Sequence, residues 1–199
     1  MSHITFEEIK ALHKKYAPSE EVYDLVFTHC QIVRDIAEQL IARNDLAVDG
    51  ELVRMGCLLH DIGVYPLFNT DGKLREGAHY ITHGVEGENI LRAEGLSEQI
   101  WRFASHHTGV GLTKQDIIDQ KLPLPVEDYV AITDEEALVM YADKFHSKTT
   151  PPTFNSYERY RKKVTEFGES KVFEFERLVQ KFGLPDLMPL AKKYGYEVR

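Results

Sequence analysis

Residues 58–66 read LLHDIGVYP, an apolar helical run that ends in adjacent His60 and Asp61, with Gly63 two residues on. An imidazole and a carboxylate at the end of a buried face are costly unless both are satisfied. A hydrogen bond, a catalytic partner or a metal would do it. Three more histidines raise the same question. His29 sits in an apolar stripe, His83 opens a helical pattern on the side of Gly87 and Ile90, and His107 follows Ile100 and Phe103 at core-facing spacing. Asp143 shares a face with Val139 and Met140. One inward histidine is ordinarily a hydrogen-bonded core residue. Four of them with two aspartates in one small core would carry a desolvation cost of several kcal/mol if uncompensated. A metal centre satisfies all six together, and helical-bundle cores are a usual place to build one. Donors that are all imidazole nitrogen and carboxylate oxygen suit iron, manganese, zinc or nickel better than a thiolate site would. Six donors also exceed the four of an ordinary zinc site. The spacing therefore predicts two divalent transition-metal ions. Iron or manganese comes first, with zinc, nickel or magnesium as alternatives. His29, His60, Asp61 and Asp143 take the first ion and His83 with His107 the second. Asp61 bridges the pair at the separation of about 3.5–4 Å usual for two-metal sites.

These residues must be carried by helices. Val22, Leu25, His29, Ile32, Ile36 and Leu40 recur at steps of three or four and predict a helix over 20–43. Asp49-Gly50 precedes a second helix to about His60. Residues 62–80 read as a loop tipped by NTDGKLREG, and a third helix runs from near Thr82 to Gly95, a C′ glycine. Ser97 reads as an N-cap for a helix through about His107, broken by TGVG. A short helix over 113–121 and the connector LPLPVEDYV follow. Thr133 and Glu136 then form a capping box for a helix to about Ser147. After the loop KTTPPTFNS, amphipathic helices are expected over 156–182 and 186–194, divided by Gly168 and GLPD. No stretch alternates with period two, so the fold class is all-α. One domain is expected over 1–199, with a core at about 20–150 and a C-terminal extension over 155–199. Packing on the core is the default for that extension, with a lid or a homodimer face as other uses.

The 199 residues are 43% hydrophobic and 28% charged, with a net charge of −8. That balance suits a globular chain long enough for a real core and argues against a general nucleic-acid binder. A phosphorylated small-molecule partner remains compatible, because a local cluster of cations overcomes the mean field. No apolar run approaches the ~18–20 residues of a membrane span, and MSHITFEEIK lacks a signal-peptide core. Cys30 and Cys57, the two cysteines, lie in apolar helical patterns and read as buried thiols of a reducing compartment. Together these features predict a cytoplasmic protein with no membrane partner.

The order His29, His60-Asp61, His83, His107, Asp143, with HDIG intact, resembles the HD-domain metal-dependent phosphohydrolase superfamily over roughly residues 20–150. The resemblance implies the all-α HD-domain helical bundle. HHTGVGLTKQD, LPLPVEDYV and EEALVMYADK look like an HDIG-type branch with predicted hydrolase activity. The HTG and YAD portions are also similar to the branch that cleaves diadenosine tetraphosphate, although that branch reads HDYAK where this chain reads HDIGV. Cyclic-di-GMP phosphodiesterases carry a Glu and then Gly-Tyr-Pro after the histidine pair, and HHTGVG has neither.

The expected activity is hydrolysis of a phosphomonoester or phosphoanhydride of a nucleotide-like molecule by a metal-activated water. Some members of the superfamily use the same six ligands as mixed-valent diiron oxygenases, and a non-catalytic metal-stabilised module is the third reading. Asp61 is the expected catalytic bridge. Lys144 is expected to orient phosphate, although helix geometry turns it ~100° from Asp143. His79 and His106 flank two ligands and are expected to touch substrate or protonate the leaving group. Arg34, Lys73, Arg75 and Lys148 are further cations whose alternative is plain solvation. Tyr141 and Phe145 are expected to pack.

Overall fold

The structure, a computed structural model, describes residues 4–199. Ten α-helices account for most of the described chain. They are α1 (Phe6–Tyr16), α2 (Glu20–Asn44), α3 (Gly50–Leu59), α4 (His83–Ala93), α5 (Glu98–Ser105), α6 (Lys114–Gln120), α7 (Asp134–Asp143), α8 (Tyr157–Val164), α9 (Glu169–Phe182) and α10 (Leu187–Tyr194). No described helix is long and apolar enough to cross a membrane.

Side-chain caps start several of these helices, among them α1, which the sequence reading does not pick out. Ser19 accepts from Val22 N to open α2, and Asp49 accepts from Glu51 N and Leu52 N to open α3. Thr5 and Glu8 form a reciprocal capping box on α1. The apolar stripe of α2, from Val22 to Leu40, is buried against α3 and α7. Helix α5 packs on α3 and α4, which closes the bundle, and α9 and α10 cover it from outside against α2 and α7. Tyr141 and Phe145 pack in the core at 5.0 Å between ring centroids, edge to face, and the Tyr141 hydroxyl donates to Gly183 O. Cys30 and Cys57 are free and buried.

Four details differ from the sequence expectation. The helix expected to reach Ser147 stops at Asp143, and His146–Ser147 forms a strand, β1. With β2 (Thr153–Phe154) and β3 (Glu197–Val198) it makes a small sheet, β1 antiparallel to β2 and β2 parallel to β3. Two-residue strands are too short to show alternation. Helix α5 ends at Ser105, so His106 and His107 lie past its last turn. At α7 the Glu136 carboxylate does not close a capping box on Thr133. It takes Arg102 and Ile132 N instead. The expected loop over 62–80 begins as a 3₁₀ turn, Ile62–Leu67, and ends in another, Tyr80–Thr82.

The first of those turns explains Gly63. The sequence suggests a glycine that lets the backbone turn away, but its φ is not in the left-handed region. A side chain there would overlap the backbone of His83 and Gly87. Gly63 therefore lets the segment after Asp61 lie directly against the start of α4, which brings Asp61 and His83 into one site.

Candidate metal centre

Five helices meet at Asp61. His29 comes from the middle of α2, His60 caps α3, His83 opens α4, His107 follows α5, and Asp143 ends α7. Asp61 Oδ2 lies 3.2 Å from His29 Nε2 and 3.5 Å from His60 Nε2. Its Oδ1 lies 3.6 Å from His83 Nε2 and 3.5 Å from His107 Nε2. Asp143 Oδ1 completes the first group at 2.9 Å from His29 Nε2 and 3.6 Å from His60 Nε2. The donors thus fall into two sets, His29–His60–Asp61–Asp143 and Asp61–His83–His107, each with geometry that could hold a metal ion. One carboxylate belongs to both, an oxygen to each.

The protonation pattern fits a cation at both sets. Nδ1 of His60 donates to Cys57 O, that of His83 to Tyr80 O and that of His107 to Ala104 O, each at 2.7 Å. A carbonyl only accepts, so each proton is on Nδ1 and each Nε2 presents a lone pair. His83 Nε2 and His107 Nε2 then face each other at 3.0 Å with no proton between them. Burial pushes the His83 imidazole down to about 3, reinforced by His107, and burial lowers His107 as well. Protonation does not relieve the facing lone pairs at neutral pH, whereas a cation would, with Asp61 Oδ1 as its third donor.

Two lysines attend the carboxylates. Lys148 Nζ sits on Asp61 Oδ2 and Lys144 Nζ on Asp143 Oδ2 at 2.7 Å. Burial works to raise Asp61, but the Lys148 ammonium and the neighbouring imidazoles hold it well below the usual carboxylate range. Burial likewise opposes Asp143, which Lys144, His29 and His60 hold well below that range. Lys144 also donates to His107 O at 3.0 Å, so its ammonium is tied between two walls of the centre. Lys144, expected to orient phosphate from a position turned ~100° from Asp143, reaches round with its stem to the aspartate and also lines the cavity.

A cavity of 670 Å³ opens onto the centre. Asp61, His83, His107 and Asp143 line it together with Lys144 and Lys148. Apolar walls come from α2 (Val22, Leu25, Val26) and from Phe68 and Val64. The far wall comes from the C-terminal part, including Lys163, Val164 and Lys171. Lys171 is committed to Asp116 and Gly111 O, whereas the Lys163 ammonium has no hydrogen bond or ion pair among the described residues.

The other expected residues are placed elsewhere. His79 is exposed, outside the cavity wall, and its backbone carbonyl accepts from Thr82. His106 is buried on the opposite side of its own backbone. Its Nδ1 meets Ser105 Oγ at 2.7 Å, its ring lies 5.7 Å from Tyr129, and burial with Arg102 pushes it down to about 4. The early end of α5 does not change the divergence of the two neighbours, and only His107 reaches Asp61. Arg34 pairs with Asp35, and Lys73 and Arg75 are exposed at the loop tip. None of these three lines the cavity.

Two residues escaped the sequence reading. His146, three positions past Asp143, puts Nδ1 2.8 Å from His29 Nδ1. Burial and His29 push it down to about 2, which keeps it neutral. Its only sequence signal is its nearness to YAD. Lys163 carries no sequence signal beyond its place in an amphipathic pattern.

A family model for the HD domain matches residues 26–148. This chain belongs to the HD domain family. The HD segment contains His29, His60, Asp61, His83, His107 and Asp143, and it stops short of α8–α10. An uncharacterized protein of Methanocaldococcus jannaschii is 42% identical over 121 residues, 59% of this chain and 64% of that one. A tRNA (cytidine(56)-2'-O)-methyltransferase of Picrophilus torridus is 36% identical over 129 residues, 65% of this chain and 33% of that one. The protein of the same name from Thermoplasma volcanium is 29% identical over 157 residues, 78% and 42% of the two chains. This HD chain therefore spans from a third to under two thirds of the length of these curated relatives. Among solved structures it is similar to the HD domain of the L. monocytogenes phosphodiesterase PgpH. The TM-score is 0.55 at 18% identity, over 94% of this chain and 98% of that one. The same domain in complex with cyclic-di-AMP gives 0.51 at 17% identity, over 87% and 86%. At such identities the likeness is one of fold.

Proposed function

We propose that this HD-domain chain is a metal-dependent phosphohydrolase acting on a phosphomonoester or phosphoanhydride of a nucleotide-like small molecule. The observation that carries the reading is Asp61, whose two oxygens face two separate imidazole pairs at the floor of a large cavity. His29, His60, Asp61 and Asp143 would hold one divalent ion, and Asp61, His83 and His107 the other. Two bound ions supply a water of lowered pKa and neutralise charge that develops on a phosphoryl oxygen.

The chain's own groups do the rest. Hydrogen bonds from Nδ1 lock the tautomers of His60, His83 and His107 and so keep Nε2 available. Lys148 borders both Asp61 and the cavity, where its ammonium can pair with a phosphoryl oxygen. Lys144 holds Asp143 in place. The apolar wall of Val22, Leu25, Val26 and Phe68 suits a flat organic body such as a nucleobase and keeps water from it. The cyclic-di-AMP complex of a similarly folded domain supports a nucleotide as the class to try first.

The test is phosphate release from nucleotides, dinucleoside polyphosphates and sugar phosphates by protein purified anaerobically and supplied with manganese or ferrous iron. Release that disappears in Asp61→Ala supports the proposal. No release from any of them by metal-loaded protein overturns it.

A further inference from the structure

Three of the four histidines around Asp61 are oriented by their own chain. His60, His83 and His107 each donate Nδ1–H to a carbonyl three residues back. All three stand at helix ends, where carbonyls are left without a partner in the helix ladder or can accept a second bond. His29 has no such carbonyl, because it stands inside the 25-residue α2, where the preceding turn is already paired. Its Nδ1 meets the His146 ring instead.

We infer that His146 is a positioning residue for His29. With a cation between His29 Nε2 and the carboxylates of Asp61 and Asp143, the His29 proton is on Nδ1, and His146 Nδ1 accepts it at 2.8 Å. The bond commits His146 in turn. With Nδ1 accepting, its own proton must be on Nε2, and that nitrogen is buried with no hydrogen-bond partner among the described residues. A free donor in such a place opposes folding, so the arrangement is held by what surrounds the ring. Phe154 of β2 packs edge to face at 5.2 Å between centroids, and Tyr196, just before β3, lies at 5.8 Å. The small sheet thereby connects the C-terminal end of the chain to a residue on α2. His29 Nε2 faces only acceptors, Asp143 Oδ1 at 2.9 Å and Asp61 Oδ2 and His60 Nε2 at 3.2 Å, so the assignment belongs to the metal-loaded centre. It therefore rests on the reading of the centre proposed above.

The test uses full-length protein labelled with 15N in its histidine rings. Long-range 1H–15N spectra of wild type loaded with diamagnetic zinc should show His29 protonated at Nδ1, with that proton hydrogen-bonded and slow to exchange. In His146→Leu the Nδ1 proton should lose that shift and protection. Manganese affinity of the first set should fall about 10- to 100-fold, while one equivalent is retained at the His83–His107 set. His146→Gln, whose side-chain carbonyl can accept the same proton, should recover both signals. A zinc-loaded wild type whose His29 carries its proton on Nε2 overturns the inference without any variant. An unchanged Nδ1 signal, or unchanged affinity at both sets, in His146→Leu also overturns it. A wild type that binds neither zinc nor manganese would fail the metal reading, and the inference with it.

Discussion

Asp61 is the residue on which both halves of the centre depend, because each of its oxygens serves a different imidazole pair. Asp61→Ala should therefore empty both positions, whereas His83→Ala should leave about one equivalent of metal, read as metal content after dialysis. His107→Ala should weaken the second position while His106→Ala leaves it intact, since only His107 turns its Nε2 to Asp61. Lys148 gives a prediction of a different kind. Its ammonium neutralises a fully buried carboxylate, and breaking a buried pair typically costs about 3–5 kcal/mol. Lys148→Met should lose stability of that order without metal, and most of it should return when manganese is added, because a bound cation takes over the same carboxylate. Equal losses with and without metal in urea denaturation would contradict this.

The elements act chiefly by ending in the right places. His60, His83, His107 and Asp143 all stand at or just past a helix terminus, and the close approach at Gly63 brings two of those termini together. Gly63→Ala should push α4 away from Asp61. A loss of about 1–3 kcal/mol in urea denaturation is expected, together with weaker metal binding at the His83–His107 set. Helices and their inward stripes were legible in the sequence because a 3.6-residue period over many residues leaves a strong pattern. The six donors were legible because each interrupts an apolar face. What was not legible is what depends on pairing between distant segments. His146 has meaning only beside a mid-helix His29, Lys144 only once its stem is seen reaching back to Asp143, and the sheet consists of strands two residues long. His79 was misread from its nearness in sequence to His83; the turn over Tyr80–Thr82 separates the two in space.

At the scale of the molecule, α1 is fastened to the centre's rear by His13, which bonds Leu58 O at Nε2 and the Tyr65 hydroxyl at Nδ1, both at 2.7 Å. Burial pushes its imidazole down to about 4 from an ordinary 6.5. The unfolded chain therefore takes up a proton below about pH 6.5 that the folded chain refuses until near pH 4. The stabilisation is complete above 6.5 and is lost as pH falls through that window. Roughly 2 kcal/mol should disappear between pH 7 and pH 5. His13→Gln should show that much less pH dependence in its urea midpoint, since His83 and His106, whose shifts have the same sign, remain in both proteins. The cavity divides along the chain as well. Its floor lies wholly within residues 26–148, but Lys163, Val164 and Lys171 in its far wall lie beyond that segment. On the proposed reading, the metal sets lie within the HD segment, while part of the wall that meets the guest lies beyond it. Exchanging α8 and α9 with those of another HD protein should then alter which guest fits while the six candidate metal ligands stay in place, so new selectivities can arise without disturbing them.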